Sequence, residues 1–328
     1  ERSRGLGDVY KRQLQAIVDY GKLYMSSIST HANELRLGGH EAPPRIISSF
    51  LGDTVTELLD DKSIHEVQNL KEKVNTRFDV FQEDTDRNRT SPYAFAGNKF
   101  EFRAVGSSQN TSFPMAVIAA TITKEIDVVL EKFAKGATVE KVISDLTETS
   151  RPARFEGNGY SKEWVEEARK RGLYVNTEIS ESIENLRDNA DVFVDIGAAD
   201  KEVIRAKHNN SVTLYTGTVA LEERTLQIIL SREFIPRAYE YSRVLKQADC
   251  NEKAEERRNR FQKVFDEVIE LENQLNENCK NQDDLSISEA CKRRDWLNNT
   301  LCVKVNELIH FLPKSETWPD LEDFMNIY

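Results

Sequence analysis

Cations are in short supply in this 328-residue chain: 45 Lys and Arg stand against 56 Asp and Glu, a formal net charge of −11 at pH 7. An acidic balance argues against nonspecific nucleic-acid binding, which needs Lys and Arg to neutralise phosphates. Long apolar runs are missing as well. No stretch approaches the roughly 18 consecutive apolar residues of a membrane span. Neither nucleic acid nor membrane is therefore expected as a partner. Cysteine is scarce, and Cys250, Cys279, Cys291 and Cys302 all lie late in the chain without Cys-x-x-Cys spacing. Free thiols in a reducing compartment are the simplest reading. The five histidines are scattered and offer no zinc-type pair. What is present, 39% hydrophobic and 31% charged residues, fits a helix-rich chain long enough for two packed units.

The first residues need separate treatment. SRGLGDVYKRQ, residues 3–13, is what a transposon adaptor used for sequencing libraries encodes in one reading frame. Residues 1–13 are accordingly expected to be an adaptor translation artefact and are set aside. The remainder is expected to be a fragment without its natural N-terminus.

Residues 14–30 place Leu14, Ile17, Gly21, Tyr24 and Ile28 at three- and four-residue steps, a helix stripe. RLGGHEAPPR then breaks it, because glycines and prolines this dense cannot continue a helix. RIISSFLG is short and apolar, either a buried strand or a helix turn. Residues 53–80 are polar and predicted helical, and EDTDRNRTSP is a charged turn. NKFEFRAV alternates, with Phe100 and Phe102 on one face and Lys99, Glu101 and Arg103 on the other. Helix periodicity returns over 113–133, opened by Pro114 in the first turn. Beyond Gly136 helices are predicted at 138–148, 161–171 and 220–245, with PARFEGNGYS as a loop. Two further stripes, over 254–278 and 288–312, predict a helical hairpin spanning 254–312, with Pro313 as its stop.

The row Lys99, Glu101, Arg103 is the most pointed feature, because side chains two apart on a strand share one face about 7 Å apart. An edge strand with merely solvated charges is the plain alternative. Just upstream, Arg87 and Arg89 lie in a turn. Arginine holds phosphate or carboxylate by two-point contact, and a carboxylate such as Glu101 can hold a divalent cation. Together they are the charges that phosphoryl transfer needs. RLGGHEAPP carries Arg36 and Glu41. It reads either as a loop that closes over a site and accepts a proton, or as an ordinary surface connection.

RLGGHEAPPRIISSFLG, DRNRTSPYAFAGNKFEFR and FEGNGYSKEWVEEARKRGL together resemble type III glutamine synthetases, in the family's order. The resemblance is close over about 30–125 and 153–175. It weakens over 220–245 and returns in ETWPDLEDFMNIY, which makes Tyr328 a plausible natural C-terminus. It implies an α+β fold: the last part of a catalytic β-sheet or barrel domain over 14–135, then a mostly α-helical C-terminal domain over 136–328. It also implies ATP-dependent joining of glutamate and ammonia through a γ-glutamyl phosphate.

By resemblance, Glu41 closes the site and takes a proton from ammonium, and Arg89 faces the transferred phosphate and the nucleotide. Arg36 would hold the α-carboxylate of glutamate and Arg103 the acceptor carboxylate. Lys99 would approach ATP and Glu101 would bind Mg²⁺ or Mn²⁺. Self-association into stacked rings, as a dodecamer, and a cytoplasmic location follow from the family too. In that location the Asn-x-Ser/Thr triplets at Asn88, Asn110, Asn209 and Asn298 are chance. Departures exist: His40 stands where asparagine is expected, and Ala104-Val105 where Met-Pro is. Two other functions fit less well, a related carboxylate–amine ligase using another amine and a non-catalytic assembly or regulatory relative. The fragment alone is expected to be inactive.

Overall fold

A computed structural model of the chain describes residues 2–39, 41–60, 89–96, 99–175, 178–247 and 251–313. These group into two compact units, Glu1–Ser211 and Val212–Tyr328. Several earlier expectations fall wholly or partly outside the described residues: the helix over 53–80 beyond residue 60, Arg87 and Asn88 with most of their turn, His40, Cys250, and the ETWPDLEDFMNIY segment ending at Tyr328.

The first unit is organised around helix α1 (Arg2–Ile28). Its predicted stripe is the buried one, with Leu14, Ile17, Tyr24 and Ile28 at the core. The helix kinks at Tyr20 (φ −122°, ψ 22°), next to Gly21, as helices do where glycine weakens the ladder. A short helix α2 (His31–Arg36) follows, capped by Thr30, whose side chain accepts from Asn33 N. The ambiguous RIISSFLG run is a buried strand, β1 (Ser49–Phe50), ahead of helix α3 (Asp53–Asp60). Strands β2 (Tyr93–Phe95) and β3 (Phe100–Phe102) complete a three-stranded sheet of order β1-β2-β3. β1 runs parallel to β2, and β2 antiparallel to β3 with Tyr93 opposite Phe102, Ala94 opposite Glu101 and Phe95 opposite Phe100. The described strands form this small sheet and no closed barrel.

NKFEFRAV is thus extended over three residues and turns from Arg103. The alternation is as predicted where pairing exists. Tyr93, Phe100 and Phe102 form one aromatic face, with Tyr93 stacked on Phe100 at 5.1 Å and Tyr24 edge-on to Phe102 at 5.9 Å. Such contacts add to area burial and fix the sheet against α1.

Helix α4 (Ser112–Ala134) packs on α1. Pro114 sits in its first turn, where a missing N–H costs nothing. Helices α5 (Val139–Thr149) and α6 (Lys162–Lys170) begin at side-chain caps, Thr138 and Ser161. Helices α7 (Ile179–Asp188) and α8 (Asp191–Asp195) were not anticipated. The buried side of α7 carries Ser180, Ser182 and Asn185 among its apolar residues. Hydrogen bonding, such as Asn185 Nδ2 to the Tyr174 hydroxyl at 2.9 Å, replaces part of the periodic apolar signal. The core of this unit runs from Ala16 to Ile204, so it continues past Gly136.

Helix α9 (Lys201–Ile229) starts well before the expected position 220. It is followed by a π-helical turn, Leu230–Phe234, and helix α10 (Ile235–Gln247). Pro236 explains the turn. A proline in a regular α-helix would clash with the carbonyl four residues back, and a widened turn relieves that.

In the second unit, helix α11 (Glu252–Lys280) buries Phe261, Val264, Phe265, Val268 and Leu275. Facing them are α12 (Ile287–Trp296), a π turn over Leu297–Leu301, and α13 (Cys302–Ile309). Phe261 meets Phe311 (centroids 5.9 Å apart), Glu267 meets Lys304 at 2.7 Å, and Asn278 O accepts from Arg293 at 2.9 Å. Those pairings run in opposite chain directions, so the segments form an antiparallel hairpin. Cys279, Cys291 and Cys302 stand in it as thiols. No described helix is long and apolar enough to cross a membrane.

Candidate functional site

The chemistry-bearing side chains gather around three segments of the first unit: the loop after α2, the turn at Arg89, and strand β3. The loop is built by its glycines and prolines. Gly38 adopts φ 86°, a conformation open to glycine, and its N–H donates to Pro43 O at 2.9 Å. Ala42 N donates to Gly39 O at 2.9 Å, and Arg45 reaches back to Leu37 O and Glu34 O at 3.2 and 2.9 Å. The result is a closed turn with Glu41 at its tip. Glu41 itself has φ 64°, rare for a residue with a Cβ.

Arg89 pairs with this tip, NH2 to Glu41 Oε1 at 3.0 Å, with side chains 54% and 77% exposed. At that exposure an ion pair contributes about 0–1 kcal/mol, so it orients more than it stabilises. On β3 the predicted row is present. Lys99 Nζ lies 3.4 Å from Glu101 Oε1, and Arg103 NH2 lies 3.5 Å from Glu101 Oε2. Register places Glu101 opposite Ala94, which is fully buried, while the Glu101 side chain itself is 42% exposed. Arg103 N donates to Pro92 O at 2.8 Å. Pro92 is only three residues past Arg89, so the two groups are tied within roughly 11 Å of backbone.

Arg36 joins the row by its backbone. Its guanidinium donates to Arg103 O at 3.2 Å, Val105 O at 3.2 Å and Asn33 Oδ1 at 3.0 Å. Asn33, fully buried, donates in turn to Ile28 O at 2.9 Å and Ala104 O at 2.7 Å. One turn of α2 therefore clamps the chain where it leaves β3. Asn33 escaped sequence reasoning because its partners are main-chain carbonyls, which leave no residue signature.

The PARFEGNGYS loop carries the remaining structure. Arg154 bridges to β1 at Ser49, Phe155 N donates to Ser49 O at 2.9 Å, and Ser91 Oγ donates to Phe155 O at 3.3 Å. Glu156 accepts from Leu51 N, Gly52 N and Thr56 Oγ1 at 3.1, 3.2 and 2.8 Å, so its carboxylate caps the positive start of α3. Arg154 holds the other end of α3 through Asp60 at 3.0 Å. Further on, Gly159 N donates to Arg89 O at 2.8 Å, and the Tyr160 hydroxyl donates to Ala42 O. The paired glycines of GNG were the available signal.

These charges suit anionic groups. Arginine forks bind carboxylate and phosphate well, and Lys99, 65% exposed, is accessible. A metal is a different matter. Among the described residues no group of three His, Cys, Asp or Glu is placed to hold one, and Glu101 is a single carboxylate between two cations. The described residues do not by themselves fit a divalent-metal site.

The class follows from comparison with known proteins. Residues 138–253 match the family model described as Glutamine synthetase C-terminal domain, and the chain is similar to glutamine synthetases over about 70% of its length. It is 34% identical over 251 residues to Glutamine synthetase of Bacteroides fragilis (strain YCH46), covering 70% of this chain and 34% of that protein. Type-3 glutamine synthetase of Dictyostelium discoideum is 28% identical over 247 residues, 70% of this chain and 33% of the relative. Glutamine synthetase of Butyrivibrio fibrisolvens is 32% identical over 232 residues, 67% and 33% respectively. The chain spans about a third of the length of these curated relatives.

Proposed function

We propose that the chain is the C-terminal portion of a type III glutamate–ammonia ligase, with the last part of the catalytic barrel over 14–135 and a helical domain over 136–328. In the complete protein the side-chain carboxylate of glutamate attacks the γ-phosphorus of ATP, releasing ADP and leaving an acyl phosphate. Ammonia then displaces phosphate from it. The observation that carries this reading is the convergence of Glu41 on Arg89 and of Lys99 and Arg103 on Glu101.

Glu41, at the tip of a closed turn, accepts the proton that ammonium gives up as its nitrogen becomes nucleophilic. Arg89 neutralises the phosphoryl oxygens, and Arg103 holds the acceptor carboxylate by its fork. Arg36 anchors the α-carboxylate end, Lys99 contacts the nucleotide, and Glu101 contributes one carboxylate toward Mg²⁺ or Mn²⁺. The family's stacked-ring dodecamer and cytoplasmic location complete the proposal.

The test is Glu41→Ala in the full-length protein, assayed for glutamine formation. We expect turnover to fall by about 100-fold or more, the scale for a positioned proton acceptor, while the KM for glutamate changes little. Unchanged turnover removes Glu41 from the mechanism.

A further inference from the structure

We propose that Gly159 and Tyr160, in a loop more than a hundred residues downstream, are positioning residues that set Glu41 against Arg89. The inference rests on the ligase reading above and adds to it the element that fixes the geometry of the proton acceptor.

Two contacts carry it. The Tyr160 hydroxyl donates to the carbonyl of Ala42, the residue directly after Glu41. Gly159 N donates to Arg89 O at 2.8 Å, the main chain of the other member of the pair. One dipeptide therefore grips both backbones whose side chains meet at 3.0 Å. The approach is too close for any other residue at 159. A Cβ there would lie 2.3 Å from Pro44 Cγ, 2.6 Å from Thr90 O and 2.7 Å from Arg89 O. Two of those atoms are main-chain carbonyls, which cannot swing aside as a side chain does.

The loop is itself held at several points, by Phe155 N on β1, by Glu156 on α3, and by Phe155 stacked on buried Trp164 at 3.6 Å. It is therefore a fixed reference. The turn bearing Glu41 needs one, because a left-handed non-glycine residue persists only where its surroundings over-determine it. The phenol of Tyr160 is pushed up from its ordinary value by burial, with Glu41 adding to the rise and Arg89 opposing it. It stays protonated and hence a donor throughout the neutral range.

Tyr160→Phe removes the donor and little else. In the full-length protein we expect kcat for glutamine formation to fall between about 5-fold and 100-fold, the range from one lost hydrogen bond to a misplaced reacting group. The KM for glutamate should change less than about twofold, since the arginines that hold it are untouched. In the 328-residue chain, exchange of the Gly38 and Ala42 amides should quicken about fivefold with α1 and α4 unaffected. Gly159→Ala should lower kcat further, and if it fails to fold, Tyr160→Phe decides alone. Unchanged kcat in Tyr160→Phe, or equal losses in kcat and glutamate affinity, overturns the positioning role. Unchanged exchange overturns the contact. A wild-type protein without ligase activity sinks the functional reading instead, and exchange then still decides whether Tyr160 holds the turn.

Discussion

Glu41 combines a functional side chain with an unfavourable backbone. At φ 64° a residue with a Cβ carries about 1–2 kcal/mol of steric cost that glycine escapes. What opposes it are the Gly38–Pro43 and Gly39–Ala42 main-chain bonds, the Tyr160 hydroxyl on Ala42, and the exposed pair with Arg89. That pair is worth about 0–1 kcal/mol. Replacing Glu41 by glycine should therefore relieve strain about as much as it loses attraction. Glu41→Gly is expected to leave the thermal midpoint of the chain unchanged or slightly raised, the net effect within about 1 kcal/mol. In the full-length protein it should abolish most turnover. A glutamic acid kept where glycine would fold as well or better is spending stability on chemistry. A marked fall in midpoint would mean that the side chain is there to hold the turn.

At the scale of elements, α1 and α4 share an acidic contact between exposed Asp19 and buried Glu125. Glu125 is buried on α4, and its carboxyl is pushed up to about 7, chiefly by burial and then by Asp19, whose charge and hydrogen bond both favour the protonated form. Lys132 and Arg12 partly oppose this, and the Tyr20 phenol is raised by burial and then by Glu125 and Asp19. The unfolded carboxyl titrates near 4.5. Between that pH and about 7 the folded chain holds more protons than the unfolded one, so stability falls as pH rises through the window. Glu125→Gln should flatten this slope. Denaturant melts at several pH values across the window check it, and parallel curves for the two proteins would rule the contact out as the cause.

The same scale shows what could be read without coordinates. The stripe of α11 and the helices α5 and α6 are local patterns, and each appears close to where the sequence put it. The charges of the site were legible one by one, since Lys99, Glu101 and Arg103 alternate and Glu41 and Arg89 sit in turn-forming strings. Helix α7 was not, because polar residues with partners elsewhere line its buried side. Nor was the length of β3, set by pairing with β2, which no pattern in NKFEFRAV encodes. The buttress of Gly159, Tyr160 and Glu156 acts through main-chain atoms far away in sequence. Such bonds constrain conformation at the receiving residue without constraining its identity.

For the molecule as a whole, the decisive balance is between cations and carboxylates at the site. Arg36, Arg89, Lys99 and Arg103 are four positive groups, and the carboxylates beside them are Glu41 and Glu101. Phosphoryl transfer from ATP needs divalent cations bridging its phosphates, and such a cation takes several oxygen ligands at once. Glu101 offers one carboxylate, already shared between Lys99 and Arg103, and the described residues hold no larger cluster. The chain also spans only about a third of the length of its relatives. Residues 14–328 in isolation should therefore form no γ-glutamyl hydroxamate from glutamate, hydroxylamine, ATP and Mg²⁺ above background. Titration with Mg²⁺ or Mn²⁺ should show no site tighter than about 1 mM, the affinity range of weak oxygen-ligand sites. Activity should appear when the same residues are assayed within the full-length protein. Robust hydroxamate formation by the isolated chain would show that the ligands needed for transfer are already present in it, and Glu101 would then have partners that its ion pairs do not reveal.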